Sequence, residues 1–216
     1  MKNTILNRLM NYCSFQFKDK RDYYDNDYLT LYYMQVDLNK SSNDLEVFGI
    51  RQLRNYIRKC IRLKRYDELL GFIEVNKDKF HLSIRDNFIF YAEASVQFDI
   101  RNFQETIHLL SIINFHVPMI IKDIKLMKIR CFYEMNYYDS VIAEADSYRH
   151  YIASTLLIPK EFVDTDLKFL RHLLKLVKLA ENPNEHELNK LKKMVGNHTL
   201  NDNMKWLIDK IGCLKK

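Results

Sequence analysis

Glycine and proline are scarce in this chain, whose 216 residues include four glycines and three prolines. Sandwiches and barrels of β-strands need many tight turns, in which these two residues are common, so the scarcity argues against an all-β fold. Hydrophobic residues make up 47% of the chain and charged residues 29%, a balance that excludes a disordered polymer and predicts a packed core. We therefore expect a helical, globular protein.

Sequence signatures of catalysis and metal binding are also missing. The four glycines are too scattered to build a phosphate-binding loop. No two of the seven histidines are four residues apart, the spacing that places two imidazoles on one helical turn. The cysteines lack the CxxC spacing of metal and redox sites, so we expect buried thiols at Cys13, Cys60, Cys131 and Cys213. The sequence predicts a non-catalytic protein without a metal site or a cofactor.

No apolar run approaches the roughly 20 residues that a membrane-spanning helix needs. The longest runs, such as Leu109–Ile113 and Val117–Ile121, are far shorter. Polar residues interrupt the apolar stretch of residues 1–10, which has no small-residue cleavage site and does not resemble a signal peptide. We expect a cytoplasmic protein with no membrane partner.

One pattern recurs along the chain: an apolar helix, a short polar turn, an aromatic residue and a second, shorter apolar helix. Tyr66, Phe103 and Tyr138 are the aromatic residues of three such units, and they are 37 and 35 residues apart. This interval is the length of a helical hairpin repeat. A single hairpin leaves one apolar face uncovered, so several hairpins must stack.

The pattern also predicts the domain organisation. An aromatic-rich segment, 1–44, is expected to form two helices that pack on the array, with its tyrosines either filling that interface or forming an exposed contact surface. The array itself spans 45–216, with hairpins near 45–79, 82–115, 119–153 and 160–195 and a capping helix at 200–214. Asn182-Pro183-Asn184-Glu185 is predicted to start the last short helix, with proline at the first helical position.

At the aromatic positions Tyr66, Phe103 and Tyr138, the chain resembles the tetratricopeptide superfamily. Ala94 and Pro118 of the middle unit also match the small-residue and closing-proline positions of that family. The first and third units have an isoleucine where a small residue is usual, at positions 57 and 129. The resemblance implies an all-α fold, a right-handed array of about four antiparallel helical hairpins with a C-terminal capping helix.

A second resemblance covers the chain from about Val47 onward. This part is similar to the C-terminal part of uncharacterised bacterial proteins built from divergent helical repeats. The residues that carry the similarity include Tyr133-Glu134-Met135, Phe169-Leu170-Arg171 and Lys205-Trp206-Leu207-Ile208. It implies a fold, suggests a truncated array and implies no activity.

Positive charge follows the first helix of several predicted hairpins. Seven basic residues and no acidic residue lie between Arg51 and Arg65, most of them at three- and four-residue steps that place them on one side of a helix. Similar steps recur in two later helices, at Lys122, Lys125 and Lys128 and at Lys168, Arg171, Lys175 and Lys178. In a tetratricopeptide-like superhelix the first helices line the concave surface, so the resemblance implies a basic groove. The candidate ligand-binding residues are Arg51, Arg54, Arg58, Arg62, Lys122, Lys125, Arg171 and Lys175.

Three functions remain open at this point. The first is an interaction scaffold whose groove binds an acidic protein or peptide segment. The second is a nucleic-acid-binding array that uses the same residues, although no base-reading pattern of helical RNA-binding repeats is visible. The third is an enzyme or toxin-like effector whose site assembles from distant residues. A net charge of +6 is modest, so ordinary solvated helix faces are the alternative to any basic site, and the oligomeric state stays open.

Overall fold

The computed structural model describes residues 2–15, 21–39, 49–196 and 202–214. Within these ranges the chain forms eleven α-helices, one 3-10 turn at Lys77–Lys79 and no strand, which confirms the all-α class. The predicted start of the third helix near residue 45 lies outside the described residues. The helices are α1 (Lys2–Phe15), α2 (Arg21–Leu38), α3 (Ile50–Arg62), α4 (Tyr66–Asn76), α5 (Leu82–Asp99), α6 (Phe103–Ile112), α7 (Pro118–Glu134), α8 (Tyr138–Ser154), α9 (Lys160–Glu181), α10 (Glu185–Gly196) and α11 (Asp202–Cys213).

The helices form two compact units that divide between His116 and Val117. Unit 1 contains α1–α6 and unit 2 contains α7–α11. The sequence predicts an N-terminal segment, 1–44, whose two helices pack on the array. The two N-terminal helices belong to unit 1 because α2 packs against α3, which in turn packs against α5.

The first helix of three hairpins ends in the same kind of turn. In the first hairpin, the Lys64 N–H donates to the Ile61 carbonyl at 3.1 Å, and the Arg65 N–H donates to the Cys60 carbonyl at 2.9 Å. These two bonds form a Schellman motif, which requires a residue in the left-handed region at Lys64. The same bonds recur in the other two turns. The φ angle is 57° at Lys64, 68° at Arg101 and 60° at Asn136.

An aromatic residue begins the helix that follows each of these turns. Helices α4, α6 and α8 start at Tyr66, Phe103 and Tyr138, as the repeat pattern predicts. The Phe103 ring contacts Phe98 with the centroids 5.9 Å apart, and the Tyr138 ring contacts Tyr133 at 5.8 Å. Each of these two ring pairs bridges its turn and fixes the second helix against the end of the first.

The two units have cores of different composition. In unit 1, tilted aromatic rings in contact join α2, α3 and α4: the ring centroids of Tyr32 and Tyr56 are 5.1 Å apart, and those of Tyr56 and Phe72 are 4.5 Å apart. The core of unit 2 is mainly aliphatic, with Leu173, Leu176 and Leu207 fully buried around Phe169. The bulky residues at positions 57 and 129 and the small Ala94 are all completely buried.

The last hairpin is α9 and α10, and α11 packs against both. Helix α10 begins at Glu185, and the Asn184 side chain accepts from the Glu187 N–H at 3.0 Å. Asn184 is therefore the N-cap, and the predicted placement of Pro183 at the first helical position is wrong. Pro183 lies just before this N-cap, outside the helix.

Candidate functional site

Most of the predicted basic residues on α3 do not face solvent. Arg54 is buried, Arg58 and Arg62 are half-buried, and Arg51 is exposed. Arg54, a predicted ligand-binding residue, is therefore not accessible to a ligand. Helices α2 and α5 both cover α3, and six of its 13 residues are buried.

An ion-pair cluster between α2 and α3 uses two cations of this stripe. The buried Asp25 carboxylate accepts from Lys59 Nζ at 2.8 Å and from Arg62 Nε and Nη2, both at 2.6 Å. The Lys59 ammonium also lies 4.4 Å from the centroid of the Tyr28 ring. Burial alone would raise the pKa of Asp25, but the hydrogen bonds from Arg62 and Lys59 outweigh it and hold that pKa below its ordinary value. Lys59 and Arg62 thus serve the packing of α2 on α3.

A second buried ion pair links α7 to α9. Lys122 Nζ lies 2.5 Å from Asp166 Oδ2, and the Tyr148 hydroxyl donates to the same oxygen at 2.5 Å. Burial and the nearby Asp166 charge raise the pKa of Tyr148, so its hydroxyl keeps the proton that it donates. Lys125 is half-buried, with its Nζ 3.1 Å from Glu144 Oε1. Both predicted α7 lysines are therefore paired inside unit 2.

Helix α9 carries its basic residues on its solvent side. Lys168, Arg171, Lys175 and Lys178 are exposed, and no acidic residue lies between the first and the last of them. Within the described ranges, no carboxylate lies within ion-pair distance of these four side chains. The opposite side of the helix is buried in the core of unit 2 through Phe169, Leu170, Leu173, Leu176 and Val177. We call the four exposed cations the α9 face.

The α9 face is linear and has an apolar edge. At a rise of 1.5 Å per residue, Lys168 and Lys178 are about 15 Å apart along the helix. Exposed Met194 of α10 borders the face, with its sulfur 3.8 Å from Lys175 Nζ. The face therefore offers a row of cations on a rigid helix, together with one polarisable apolar contact.

Three of the four cysteines are held in closed environments. Cys13, Cys60 and Cys131 are buried, as predicted, whereas Cys213 is exposed, so the prediction of a buried thiol is wrong there. Burial raises the pKa of the Cys60 thiol to about 12. A thiol with such a pKa is a poor nucleophile near neutral pH. In the part of the chain that the structure describes, no group of His, Cys, Asp and Glu is arranged to hold a metal ion. No described helix is both long and apolar enough to cross a membrane.

The tyrosines of α2 were expected either to fill the interface with the array or to form an exposed contact surface, and the structure shows some in each position. Tyr28 and Tyr32 are buried in unit 1, where they fill the interface with α3. Tyr33 is half-buried and its hydroxyl lies 2.9 Å from that of Tyr56. Tyr23 is exposed. Packing is therefore the role of the central tyrosines of this segment.

Sequence reasoning missed the acidic partners of the buried cations. Asp25 precedes Lys59 by 34 residues, and Asp166 follows Lys122 by 44 residues, so no local spacing connects them. It also left Lys168 and Lys178 out of the candidate set, although the stripe that contains Arg171 includes both. Two features together identify the α9 face: a run of basic residues without an acidic one, and the exposure of their side chains. The sequence shows the first feature, but only the folded structure shows the second.

Comparisons of this chain with protein-family models, with curated proteins and with solved structures find no match. The tetratricopeptide resemblance consequently has no support from a detectable relative. What the α9 face does must be inferred from its own chemistry and from the way that the fold displays it.

Proposed function

We propose that this chain is a tetratricopeptide-like repeat protein that binds an acidic segment of another protein through the α9 face. The observation that carries the proposal is that four basic residues, three or four positions apart on one side of α9, are all exposed with no acidic residue among them. The predicted α3 and α7 residues are not part of the proposed site. Arg62, Lys122 and Lys125 are paired with carboxylates. Arg51 is exposed but isolated, because Arg54 is buried and Arg58 is half-buried.

The repeat part of the proposal is supported by the three Schellman turns. Lys64, Arg101 and Asn136 have the same backbone conformation at intervals of 37 and 35 residues, and an aromatic residue begins the next helix two positions later each time. Recurrence of both features at nearly equal intervals is typical of a structural repeat. A hairpin of this length, repeated, is the building unit of helical solenoids.

The binding part rests on the electrostatics of an unpaired row of cations. Neighbouring like charges on a helix destabilise it slightly, so a face of this kind carries a small energetic cost that an anionic partner removes. The row is about 15 Å long, which matches about five residues of an extended peptide. Carboxylates at alternate positions of such a peptide would each lie near one or two of the cations.

An acidic peptide fits the face better than a nucleic acid does. The one aromatic residue between Lys168 and Lys178 is Phe169, which is fully buried, so single-stranded bases would find no stacking platform there. Met194 beside Lys175 instead offers an apolar contact to a peptide side chain. Four cations can neutralise at most about four phosphates, which predicts weak RNA binding with a salt slope no steeper than about −3.

The test is fluorescence anisotropy with a labelled 12-residue peptide that carries glutamates at alternate positions around a central leucine. We expect a dissociation constant in the micromolar range, and replacing Lys168, Arg171, Lys175 and Lys178 together with glutamine should weaken binding at least tenfold. Unchanged affinity in that variant would refute the assignment of the site.

The matched control removes the same charge elsewhere. Arg51, Lys79, Arg149 and Lys205 are exposed basic residues outside the α9 face, and their joint replacement with glutamine also lowers the net charge by four. We expect the control variant to bind within about threefold of wild type. A single-stranded RNA 12-mer, titrated in parallel, should bind more weakly than the peptide, and the reverse order would favour the nucleic-acid function.

A further inference from the structure

A small cavity in unit 2 lies where the last three helices meet. It has a volume of about 250 Å³, and its wall includes Leu179 of α9, Leu188, Asn189 and Lys192 of α10, and Leu214 just after α11. Helix α10 packs against both α9 and α11, so packed helices hold the wall in place. We call this space the Lys192 cavity.

The Lys192 ammonium is the unusual feature of this cavity. The side chain is half-buried, and its Nζ atom is enclosed without a hydrogen-bond partner among the described residues. By contrast, Lys59 and Lys122, which are buried elsewhere in the described chain, each contact a carboxylate. An enclosed cation without a counter-charge is costly to a fold, so an anion that reaches Lys192 would gain a strong interaction.

The rest of the wall suits a ligand that has one anionic group and an aliphatic tail. Leu179, Leu188 and Leu214 supply apolar surface from three different parts of the unit. Asn189 lies three residues before Lys192, so the two side chains are neighbours on the same side of α10. An amide N–H and an ammonium can then both donate to one carboxylate while the three leucines contact the tail.

A carboxylate of the wall sets the orientation of such a ligand. Glu185 borders the cavity seven residues before Lys192, which places the two about 10.5 Å apart along α10. Because like charges repel, a ligand carboxylate is disfavoured near Glu185 and favoured near Lys192.

The volume limits the size of the ligand. A water molecule occupies about 30 Å³ and a methylene group is of similar size, so the cavity has room for about eight non-hydrogen atoms. Hexanoate, with six carbons and two oxygens, has about that number and fills the space. A long-chain fatty acid is too large.

We propose that the Lys192 cavity binds a small aliphatic monocarboxylate, with its anionic group at Lys192 and Asn189 and its tail against the three leucines. The lysine stem is flexible, so the ammonium turns toward the ligand without movement of the helix. The site uses none of the four cations of the α9 face. The proposal is therefore independent of the peptide-binding function and goes beyond it.

Titration of the isotope-labelled full chain with hexanoate, followed by nuclear magnetic resonance of its backbone amides, tests the proposal. We expect saturable shifts at Leu188, Asn189 and Lys192, with a dissociation constant of roughly 0.1–1 mM for a ligand of this size. Hexanol has the same chain without the charge and should bind at least tenfold more weakly, as should inorganic phosphate, which has no tail.

Three results of this titration overturn the proposal. The first is the absence of saturable shifts up to about 10 mM hexanoate, a concentration well above the expected dissociation constant. The second is binding of hexanol as tight as that of hexanoate, because the charge would then have no role. The third is binding of phosphate as tight as that of hexanoate, because the leucines would then have no role.

Two substitutions test Lys192 itself. Lys192→Met removes the ammonium but keeps an unbranched side chain, so it should weaken hexanoate binding at least tenfold. Lys193→Met is the matched control, because Lys193 is exposed and outside the cavity wall, and it should bind within about threefold of wild type. Far-UV circular dichroism checks that both variants are folded. Unchanged affinity in Lys192→Met, or an equal loss in both variants, overturns the proposal.

Discussion

Helices α3 and α9 carry the same sequence signal and use it differently. Both begin a hairpin, and both repeat basic residues at three- and four-residue steps without an intervening acidic residue. In α3, the cations Lys59 and Arg62 bind the buried Asp25 of α2. In α9, Lys168, Arg171, Lys175 and Lys178 all face solvent. The comparison teaches that a basic stripe becomes a surface only where no neighbouring helix supplies a carboxylate to it.

Removing the carboxylate that pairs the α3 cations should have the largest effect on stability. Asp25→Asn would leave Lys59 and Arg62 without their buried counter-charge, which we expect to lower the free energy of unfolding by about 3–5 kcal/mol. Urea unfolding followed by circular dichroism measures the change. The matched control is Asp164→Asn on the exposed side of α9, where a change within about 0.5 kcal/mol is expected. Equal effects of the two substitutions would remove the distinction between the helices.

Acid should weaken the ion-pair cluster between α2 and α3, because it protonates the Asp25 carboxylate. The folded pKa of Asp25 is below its ordinary value of about 3.9, so its contribution to stability is complete above about pH 5 and is lost as the pH falls through the folded pKa. The difference in unfolding free energy between wild type and Asp25→Asn should therefore narrow from pH 5 toward pH 2. A difference that stays constant over this range would show that the ion pair does not stabilise the fold.

The backbone conformation of the residue that follows α3 differs from that of the residue that follows α9, and glycine substitutions can detect the difference. Lys64 after α3 has a φ of 57°, whereas Asn182 after α9 has a φ of −131°. Lys64→Gly should be more stable than Lys64→Ala by about 1 kcal/mol, because alanine is strained in the left-handed region. Asn182→Gly should show no such advantage over Asn182→Ala. Thermal unfolding of the four variants provides the comparison, and an equal advantage at both positions would contradict the turn geometry.

The smallest expected effect is on the stability of α9 itself. Arg171 and Lys175 are four residues apart and both cationic, an arrangement that disfavours a helix by about 0.2–0.5 kcal/mol. Lys175→Gln should therefore leave unfolding unchanged or raise its free energy by a few tenths of a kcal/mol in low salt. Urea unfolding at 20 mM and 500 mM salt measures this, and the gain should shrink at high salt. A loss above 1 kcal/mol would show that Lys175 has a structural role.

The helices and their turns were predictable because their signals are local. Apolar periodicity and the positions of Tyr66, Phe103 and Tyr138 predicted the starts of α4, α6 and α8. Turn geometry depends on residues within one turn of each other, which a single sequence displays. The Schellman motif itself was not predicted, because lysine, arginine and asparagine occupy the position that glycine usually has.

The candidate site was only partly predictable because it depends on which helices meet. Hydrophobic periodicity treats Lys122 as a surface residue, yet its ammonium is buried against Asp166, a residue of another helix. No local pattern indicates that a lysine will find a carboxylate 44 positions away. Arg171 and Lys175 are exposed, as a ligand-binding residue must be, because the residues beside them form a clear apolar stripe that fixes the buried side of α9.

The most direct test of the contrast between α3 and α9 is one pair of substitutions measured in two assays. Arg62→Gln and Arg171→Gln each remove one arginine from a basic stripe, and each variant is measured by urea unfolding and by anisotropy with the acidic peptide. Arg62→Gln should lower the free energy of unfolding by about 1–3 kcal/mol and leave the affinity unchanged. Arg171→Gln should leave unfolding within about 0.5 kcal/mol of wild type and weaken the peptide about threefold. An Arg62→Gln variant with normal stability and weakened binding, beside an Arg171→Gln variant with normal binding, would contradict the account.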